Sequence, residues 1–551
     1  MSKKVLIVGG VAGGASAAAR LRRLDENAEI IMFERDEYIS FANCGLPYYI
    51  GETIKEREKL IVQTPESLKN RFNIDVRINS EVIGIDTLKK IVTIRSKEKG
   101  EYEESYDYMV LSPGARAIKP NIEGINNAKI FTLRNIPDTD NIKAYVDKNG
   151  TKTAVVIGGG YVGVEMAENL KLRGLEVTIV EAAPHIMAPL DTDLVSFVEK
   201  EITDKGVQLI LMDGVKAFKD LDNTVEITLN SDKKLSADLV ILAIGVTPET
   251  GFLKGTGIAL GARGHIIVNE KLETNAPNVY AVGDAIEIVD FVTKQQGAVA
   301  LAGPANKQGR IAADNITGLG TTYKGTQGTS IIKVFGLTAA GTGSNERTLK
   351  RLNIPYKATT VHLQSHASYY PGGFPLTLKL IFNEEGKILG AQGVGVDGVD
   401  KRIDVIATVI RLGGTVTDLT ELELCYAPPF SSAKDPVNMV GYVAQNILAG
   451  RVDTITMEQF MTYDRDNTIL LDVRTELEFK GGHFEGALNI PVDSIRDRIG
   501  EIDKDKEILG YCQIGQRGYY ASRILKQKGF KVKNISGGYK SALSLGVKPK
   551  M

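Results

Sequence analysis

The chain has 551 residues, of which 43% are hydrophobic and 25% charged, and a net charge of -1 at pH 7. This composition is typical of a globular protein with about three or four domains and a core that needs no disulfide bonds. The near-zero charge excludes a general attraction to nucleic acid or membrane surfaces, and no apolar run reaches the roughly 18 residues of a membrane span.

The first predicted unit is a strand, a glycine-rich turn, a helix and a second strand. KKVLIVGG predicts a buried strand, residues 15–24 a helix, and AEIIMFER the second strand. The lysines, apolar run and A-x-A of the N-terminus also mimic a signal peptide, but the glycines favour strand, turn and helix. The turn, residues 9–14, departs from G-x-G-x-x-G because Val11 replaces the middle glycine. Glu34, 20 residues beyond Gly14 at the next strand end, strengthens the prediction of a nucleotide site.

A lone cysteine follows this unit. SFANCGLPYY, residues 40–49, holds Cys44, and the other two cysteines, Cys425 and Cys512, lie far from it in sequence. Widely separated and odd in number, the cysteines predict reduced thiols in a cytoplasmic protein. Cysteine and histidine show no metal-ligand spacing, so we expect no metal site.

A second unit of the same kind begins about 150 residues after the first. KTAVVIGGG, VGVEMAENLKLRG and EVTIVEA predict strand, helix and strand, and residues 158–163 fit G-x-G-x-x-G. Glycines there allow a pyrophosphate to approach the backbone at a helix N-terminus. Glu181, at the end of the second strand, suits a ribose 2′-OH and repels a 2′-phosphate, which favours NADH and leaves NADPH as the second option. Two such units imply parallel sheets.

The remaining chain divides into three parts. TNAPNVYAVGDA, residues 274–285, predicts a strand that ends at Gly283 and Asp284, where an aspartate suits a flavin ribityl hydroxyl. Residues 326–448 lose the dinucleotide-binding pattern and indicate a separate α+β unit. Residues 449–456 are a predicted linker to a compact α/β segment at the C-terminus.

The C-terminal segment carries a cysteine loop. Cys512 and Arg517 enclose four residues before a predicted helix. Successive backbone N–H groups in such a loop point at the sulfur and stabilise a thiolate or persulfide. The loop, together with Asp472-Val473-Arg474, Gly482-His483 and Pro491, resembles the rhodanese domain. Phosphatase loops have one residue more, and an inactive rhodanese-like binding module is the alternative.

The main part of the chain, about residues 1–448, resembles the flavoprotein disulfide reductases with two dinucleotide-binding domains. Most of these use a C-x4-C disulfide, whereas Cys44 has no such partner. S-F-x-x-C-x-x-P resembles the single-cysteine branch of NADH oxidases, NADH peroxidases and coenzyme A-disulfide reductases. Ala12 stands where the oxidases and peroxidases carry histidine. ASYYPGGFPL, VDKRIDV and CYAPPFSSAKD are similar to the coenzyme A-disulfide reductases.

The resemblance implies an α/β fold of four domains in a homodimer. Two Rossmann-like domains bind FAD (residues 1–120 and 248–325) and NAD(P)H (121–247). An α+β dimerisation domain (326–448) and a rhodanese α/β domain (455–551) follow.

The resemblance also implies residue roles. Cys44 forms a mixed disulfide with coenzyme A, and a nearby helix N-terminus or flavin lowers the pKa of its thiol. Tyr369 and Tyr426 of the partner subunit flank the sulfur and donate to the leaving thiolate, while Cys512 and Arg517 act in the rhodanese domain. Substrate contacts are expected from Ser16, Arg20, Arg23, Ser40, Asn43, Arg71, Asn306 and Lys434. Cofactor contacts are expected from Gly9, Gly10, Val11, Ala12, Gly14, Glu34, Arg35, Val82, Gly114, Asp284 and Ala302 for FAD, and Gly158, Gly160, Tyr161, Gly163, Glu181 and Gly245 for NAD(P)H.

We therefore expect an FAD-dependent NAD(P)H oxidoreductase that reduces coenzyme A disulfide or coenzyme A persulfide through Cys44. Cys512 carries sulfur from a sulfane-sulfur donor. A water-forming NADH oxidase or peroxidase that uses a cysteine sulfenic acid is one alternative, which Ala12 disfavours. A redox-sensing flavoprotein with a C-terminal docking module is the other.

Overall fold

A computed structural model describes residues 2–148 and 150–550. The chain forms two compact units, one of residues 1–184 and 210–328 and the other of residues 185–209 and 329–551. Residues 185–209, which lie within the sequence range predicted for the NAD(P)H domain, thus pack with the second unit.

The first unit contains two parallel sheets, as the repeated strand-helix-strand pattern predicts. In spatial order, the strands of one are Val279–Ala281, Tyr108–Leu111, Lys4–Val8, Glu29–Phe33 and Asp75–Arg77. Those of the other are Glu176–Val180, Thr153–Ile157, Leu239–Leu242 and Ile130–Phe131. Their apolar runs are buried, as expected of parallel strands covered on both faces.

Antiparallel strands and helices complete the first unit. The three-stranded sheets are Ser80–Asp86, Ile91–Ser96 and Gly100–Ser105, and Val215–Leu221, Thr224–Leu229 and Lys234–Ala237. The strand pairs are Ala115–Ala117 with Val246–Pro248, and Ile288–Val289 with Gln296–Gly297. The helices are Ala12–Leu24, Leu46–Ile50, Pro65–Phe72, Ile136–Val146, Tyr161–Leu172 and Ala302–Ile316. A short strand, Gln208–Ile210, lies where the sequence passes from the second unit back to the first.

The second unit contains an antiparallel and a parallel sheet. The antiparallel sheet orders Ser330–Val334, Leu337–Gly343, Ile388–Gly395, Pro375–Phe382 and Lys357–Gln364. The parallel sheet orders Asp453–Ile455, Val532–Ile535, Glu507–Tyr511, Thr468–Asp472 and Leu488–Asn489. The helices are Thr192–Asp204, Glu346–Arg351, Val399–Arg411, Val416–Glu421, Pro436–Leu448, Met457–Met461, Glu476–Lys480, Gln516–Gln527 and Gly538–Ser544. Together the units confirm the predicted α/β class.

The predicted linker is shorter than the sequence indicates. The helix before it ends at Leu448, and Asp453–Ile455 pairs in parallel with Val532–Ile535. Residues 453–455 therefore belong to the C-terminal sheet, and only residues 449–452 lie between the two elements.

Buried hydrogen bonds join the C-terminal sheet to the antiparallel sheet of the same unit. The His362 ring contacts Thr377 Oγ1 through Nδ1 at 2.8 Å and Ser541 Oγ through Nε2 at 2.9 Å. Burial lowers the pKa of His362 to about 3, so the ring is neutral at physiological pH. The Thr360 N–H donates to Ser536 Oγ at 2.8 Å. Each of these buried polar groups has a hydrogen-bond partner. Buried polar groups that are paired in this way fix one geometry.

A buried lysine lies at the centre of the second unit. Lys379 is 1% exposed and contacts Asp193 at 2.6 Å, Asp191 at 3.2 Å and Glu346. Burial, together with the carboxylates of Glu346 and Asp193, raises the pKa of Asp191 to about 6 against the lowering effect of Lys379. Because Asp191 and Asp193 belong to the 185–209 segment, this cluster holds that segment to the antiparallel sheet.

No helix of the described residues 2–148 and 150–550 has both the length and the apolar character to cross a membrane.

We predict that Lys379→Met lowers the free energy of unfolding of the second unit by about 3–5 kcal/mol, because it leaves buried carboxylates without their cation. Urea unfolding followed by circular dichroism measures the change. Lys357→Met is the control, since Lys357 lies on the neighbouring strand with its side chain 39% exposed. Equal unfolding midpoints for the two variants would contradict the assigned role.

Candidate active sites

The two glycine turns of the first unit have the same backbone geometry. Gly9 and Gly158 adopt φ of +97° and +105°, which only glycine adopts readily. A Cβ at Gly14 would lie 1.9 Å from the Gly9 carbonyl oxygen, and one at Gly163 would lie 1.9 Å from that of Gly158. Each helix therefore begins in backbone contact with the strand before it.

The carboxylates beyond these turns are also placed alike. Glu34 accepts the Gly10 N–H at 2.9 Å, and Glu181 accepts the Gly159 N–H at 2.7 Å. Burial raises the pKa of Glu34. A Cβ at Gly160 would meet no protein atom within 4 Å, so a pyrophosphate can approach there. The first turn keeps this geometry with Val11 in the equivalent position, and the two turns fit FAD and a nicotinamide dinucleotide respectively.

The other predicted cofactor residues lie at turns and element ends of the first unit. Asp284 lies in the turn Gly283–Ala285 and pairs with Arg134 at 2.8 Å, a cation that sequence reasoning missed. Arg35 pairs with Glu249. Gly114 and Gly245 adopt φ of +70° and +115°, Val82 is a buried strand residue, and Ala12, Tyr161 and Ala302 are the first residues of helices.

A cavity of about 400 Å³ brings together most of the predicted substrate residues. It is lined by Ala12, Ala15, Ser16, Ala19, Arg20, Arg23, Ser40, Gln63, Leu68, Phe72, Asn306 and Arg310. Asn43 and Arg71 are not among the lining residues, although Arg71 lies on the helix that contributes Leu68 and Phe72. Lys434 is exposed in the second unit.

The charges in this cavity differ from the sequence expectation. Arg20, expected to meet phosphates, donates to Asp314 at 2.7 Å and is charge-compensated. Among residues 2–148 and 150–550, Arg23 and Arg310 have no carboxylate within 4.0 Å, so they are the better candidates for an anionic group. Sequence reasoning missed Arg310, although it predicted Asn306 on the same helix, Ala302–Ile316, which packs on Ala12–Leu24.

Ser40 lines the cavity in a constrained backbone conformation. Its φ is +42°, which is uncommon for a residue other than glycine. Its N–H donates to Gly10 O at 2.9 Å, and its carbonyl accepts the Val62 N–H at 3.0 Å. The surrounding backbone therefore fixes Ser40, as is common at functional sites.

Cys44 is an exposed free thiol in the 3₁₀ turn Asn43–Gly45. The helix Leu46–Ile50 that follows is anchored by the buried side chains of Leu46 and Ile50, and Leu46 packs in a cluster with Leu60 and Ile136. The thiol is thus held at the surface by a short, well-packed helix.

The protein groups around Cys44 do not supply the predicted lowering of its thiol pKa, and the effect of a bound flavin stays a prediction. Burial of the sulfur raises the pKa of the thiol, and the carboxylates of Glu165 and Asp284 raise it further, against the opposite effect of Arg134. The helix Leu46–Ile50 has five residues, too few to outweigh these effects.

Glu165 and Tyr48 form a pair beside Cys44 that sequence reasoning missed. The Tyr48 hydroxyl donates to Glu165 Oε1 at 3.2 Å. Burial raises the pKa of Glu165 to about 7. The only sequence signal is the position of Glu165 two residues after the last glycine of the second motif, and it does not indicate contact with residues 44–48.

Tyr369 and Tyr426 meet on the surface of the second unit. Their hydroxyls lie 2.8 Å apart, and the residues are 72% and 47% exposed. The hydrogen bond with Tyr426 raises the pKa of Tyr369. The phenols predicted to act together are thus adjacent and accessible.

Cys512 lies buried in the loop before the helix Gln516–Gln527. The Gly515 N–H donates to its sulfur at 3.2 Å, which is one contact of the series of N–H groups that the loop pattern predicts. The Cys512 carbonyl accepts the Tyr539 N–H at 2.9 Å, so the helix Gly538–Ser544 holds the loop from behind. Arg517 follows in the first helical turn.

Comparisons with known proteins agree with this division. The pyridine nucleotide-disulphide oxidoreductase family matches residues 3–309, its dimerisation domain residues 329–436, and the rhodanese-like domain residues 458–544. Coenzyme A disulfide reductase from Staphylococcus aureus (strain bovine RF122 / ET3-1) is 39% identical over 445 residues, covering 80% of this chain and all of that protein.

Solved structures give the same result. The chain resembles reduced Bacillus anthracis CoADR-RHD with a TM-score of 0.98 and 53% identity, covering all of both chains. An NAD-dependent persulfide reductase from A. fulgidus has a TM-score of 0.91 and 36% identity, over 98% of this chain and 99% of that one. A water-forming NADH oxidase from Lactobacillus brevis is less similar, with a TM-score of 0.79 and 27% identity over 82% and 99% of the two chains.

We predict that Glu165→Gln lowers the pKa of the Cys44 thiol, because it removes a carboxylate that disfavours the thiolate. The rate of iodoacetamide labelling of reduced Cys44, measured against pH in a Cys425→Ser, Cys512→Ser background, should rise at lower pH than in the parent. Glu176→Gln is the control, as Glu176 is exposed and belongs to the same nucleotide unit. Superimposable pH profiles would rule out the electrostatic coupling.

Proposed function

Because the chain belongs to the pyridine nucleotide-disulphide oxidoreductases, and within them to the coenzyme A disulfide reductases with a rhodanese domain, we propose that it reduces coenzyme A disulfide and coenzyme A persulfide with NAD(P)H. The observation that carries the proposal is an exposed thiol with no partner cysteine, Cys44, four residues after Ser40 in the wall of an arginine-lined cavity. A thiol without a partner cysteine needs a partner sulfur from the substrate.

Cys44 attacks the substrate as the thiolate. With coenzyme A disulfide, Cys44–S⁻ displaces one coenzyme A thiolate and forms Cys44–S–S–CoA. With coenzyme A persulfide, the same mixed disulfide forms and hydrosulfide leaves. Two electrons then return Cys44 and coenzyme A to their thiolates. Both substrates therefore share one covalent intermediate.

FAD, when bound, supplies these two electrons after accepting them from NAD(P)H. Glu34 and the turn 9–14 would hold its adenosine and pyrophosphate, and Asp284 its ribityl chain. Glu181 would bind the 2′-OH of NADH, and its negative charge supports a preference for NADH over NADPH.

The cavity is proposed to bind the coenzyme A nucleotide. Arg23 and Arg310 supply cationic groups for phosphates, while Ser16 and Asn306, whose side chains contact at 2.5 Å, line the same wall. Arg71, Asn43 and Lys434 remain proposed contacts for the rest of the molecule.

The oxidase alternative lacks a proton donor in the first glycine turn. Ala12 lines the cavity but cannot protonate a peroxide. Reduction of coenzyme A disulfide or persulfide needs no such group at that position, so the residues of this turn favour the reductase reading.

Cys512 is proposed to carry sulfane sulfur to coenzyme A. It accepts sulfur as a persulfide, the Gly515 N–H supports the anion, and coenzyme A removes it to form the persulfide substrate of Cys44. The two cysteines then work in sequence on one carrier.

We also propose a homodimer in the cytoplasm. The dimerisation-family match, and the exposed Tyr369, Phe374, Tyr426 and Phe430 in the same unit, support a subunit interface that brings the two phenols to the partner's Cys44. The three free thiols support a reducing compartment.

We expect Cys44→Ser to reduce NADH turnover with both coenzyme A substrates by about a thousand-fold or more, because the nucleophile is lost. Cys512→Ser should retain coenzyme A disulfide reduction and lose turnover that depends on a sulfane-sulfur donor. Steady-state NADH oxidation with coenzyme A disulfide, coenzyme A persulfide and oxygen measures this. Oxygen consumption equal to NADH use would favour the oxidase. An absence of turnover with both thiol substrates would favour the sensor.

We expect Tyr426→Phe to lower kcat for coenzyme A disulfide by about ten-fold, because one donor to the leaving thiolate is removed. Tyr442→Phe is the control, since Tyr442 donates only to Thr420 O at 3.3 Å on the same unit. Equal kcat values for the two variants would remove Tyr426 from the proposed site.

A further inference from the structure

Arg517, five residues after Cys512 in the sequence, is already paired with a carboxylate. Its two terminal nitrogens donate to the two carboxylate oxygens of Glu478 at 2.7 and 2.6 Å. The hydrogen bond with Glu478 raises the pKa of Arg517, and interaction with the Cys512 sulfur raises it further. Arg517 therefore uses its parallel pair of N–H donors on the Glu478 carboxylate.

Glu478 is held in this position by its own helix. It is the third residue of Glu476–Lys480, and its Oε2 accepts both the N–H and the hydroxyl of Thr475, at 3.0 and 2.9 Å, in a capping box. Arg517 lowers the pKa of Glu478 to about 2, so Glu478 stays a carboxylate at physiological pH. An incoming anion thus competes with a fixed bidentate partner.

A second arginine near the loop is also paired with a carboxylate, whereas a nearby lysine is not. Arg474 contacts Gln513 Oε1 at 3.3 Å, but it is buried and paired with Asp472 at 2.7 Å. Lys540 holds Gln513 O through its backbone N–H, while its ammonium lies 6.0 Å from the centre of the Phe197 ring. Both arginines at the loop are therefore matched by carboxylates, and Lys540 has no carboxylate within 4.0 Å among the described residues.

Sulfane-sulfur donors differ in what they leave behind. With thiosulfate, Cys512–S⁻ takes the outer sulfur to form Cys512–S–S⁻, and the S–S bond breaks to release sulfite with two negative charges. With an organic persulfide, Cys512–S⁻ and R–S–SH give Cys512–S–SH and R–S⁻. Neither transfer needs an added oxidant or reductant, but only the first must accommodate a sulfonate group beside the sulfur.

We propose that Glu478 makes the Cys512 site selective against thiosulfate and for the persulfide of an organic thiol. A sulfonate is recognised by parallel N–H donors of the kind Arg517 offers, and Glu478 occupies them. An organic persulfide presents its terminal sulfur without this demand. The inference rests on the proposed sulfur-carrying function of Cys512 and identifies its donor class.

The test compares two donors in the full-length holoenzyme. Sulfur transfer to cyanide, measured as thiocyanate, is followed with thiosulfate and with glutathione persulfide, after subtraction of the rate of Cys512→Ser. Glu478→Gln should raise kcat/KM for thiosulfate by about ten-fold, the scale of one charge-assisted interaction, and change that for glutathione persulfide by less than about three-fold. Glutamine also preserves the capping box.

Two further variants make the result specific. Glu476→Gln, on the exposed side of the same helix, should leave kcat/KM unchanged for both thiosulfate and glutathione persulfide. Glu478→Gln with Arg517→Gln should lose the thiosulfate gain, while NADH oxidation with coenzyme A disulfide, which depends on Cys44, reports an intact holoenzyme. A thiosulfate rate that does not rise in Glu478→Gln, or rises equally in Glu476→Gln, overturns the inference.

NADH oxidation distinguishes an error in the role of Glu478 from an error in the proposed function. NADH oxidation with coenzyme A disulfide depends on Cys44 and should be the same in the wild type and Glu478→Gln. If it is normal and the donor ratio is unchanged, only the role of Glu478 is wrong. If the wild type transfers sulfur from neither donor, the proposed role of Cys512 falls, and the inference with it.

Discussion

The contact of a helix with the backbone of the strand before it governs both nucleotide sites. No side chain fits between Gly14 and Gly9, or between Gly163 and Gly158, so the first turn of each helix lies directly against its strand. This contact points the free N–H groups of the helix end to one place and sets the glutamate of the next strand beside them. The turn 9–14 lacks the middle glycine and keeps the arrangement, because that residue is not part of the contact.

Sequence patterns predicted the elements well where one periodicity dominated. The apolar strands and the helix after Tyr161 appear close to their expected positions. The first helix begins at Ala12 rather than at residue 15, since Gly13 and Gly14, poor helix formers on their own, are required by close packing. Residues 453–455 form a strand because Val532–Ile535 offers a free edge, a partner that is about 80 residues away in sequence.

The sequence predicted most of the residues that line the candidate cavity, but not how their charges are paired. Ser16, Arg20, Arg23, Ser40 and Asn306 do share one cavity. Arg20 is compensated by Asp314, which lies about 290 positions away in sequence. The pKa of Cys44 is raised by Glu165, which lies about 120 positions away. Local spacing carries no information about such pairs. The two reactive thiols consequently differ in kind. Cys44 is exposed beside carboxylates, whereas Cys512 is buried in a loop whose two neighbouring arginines are paired with carboxylates.

The shortened connection before the C-terminal sheet limits how sulfur can travel. Residues 449–452, four in number, span roughly 14 Å even when fully extended, and the bonds of His362 and Thr360 hold the sheet in place. The rhodanese domain therefore cannot work as a swinging arm that delivers its cargo by moving the whole domain. The proposed transfer of sulfur from Cys512 therefore assigns the movement to the carrier, coenzyme A, and not to the domain.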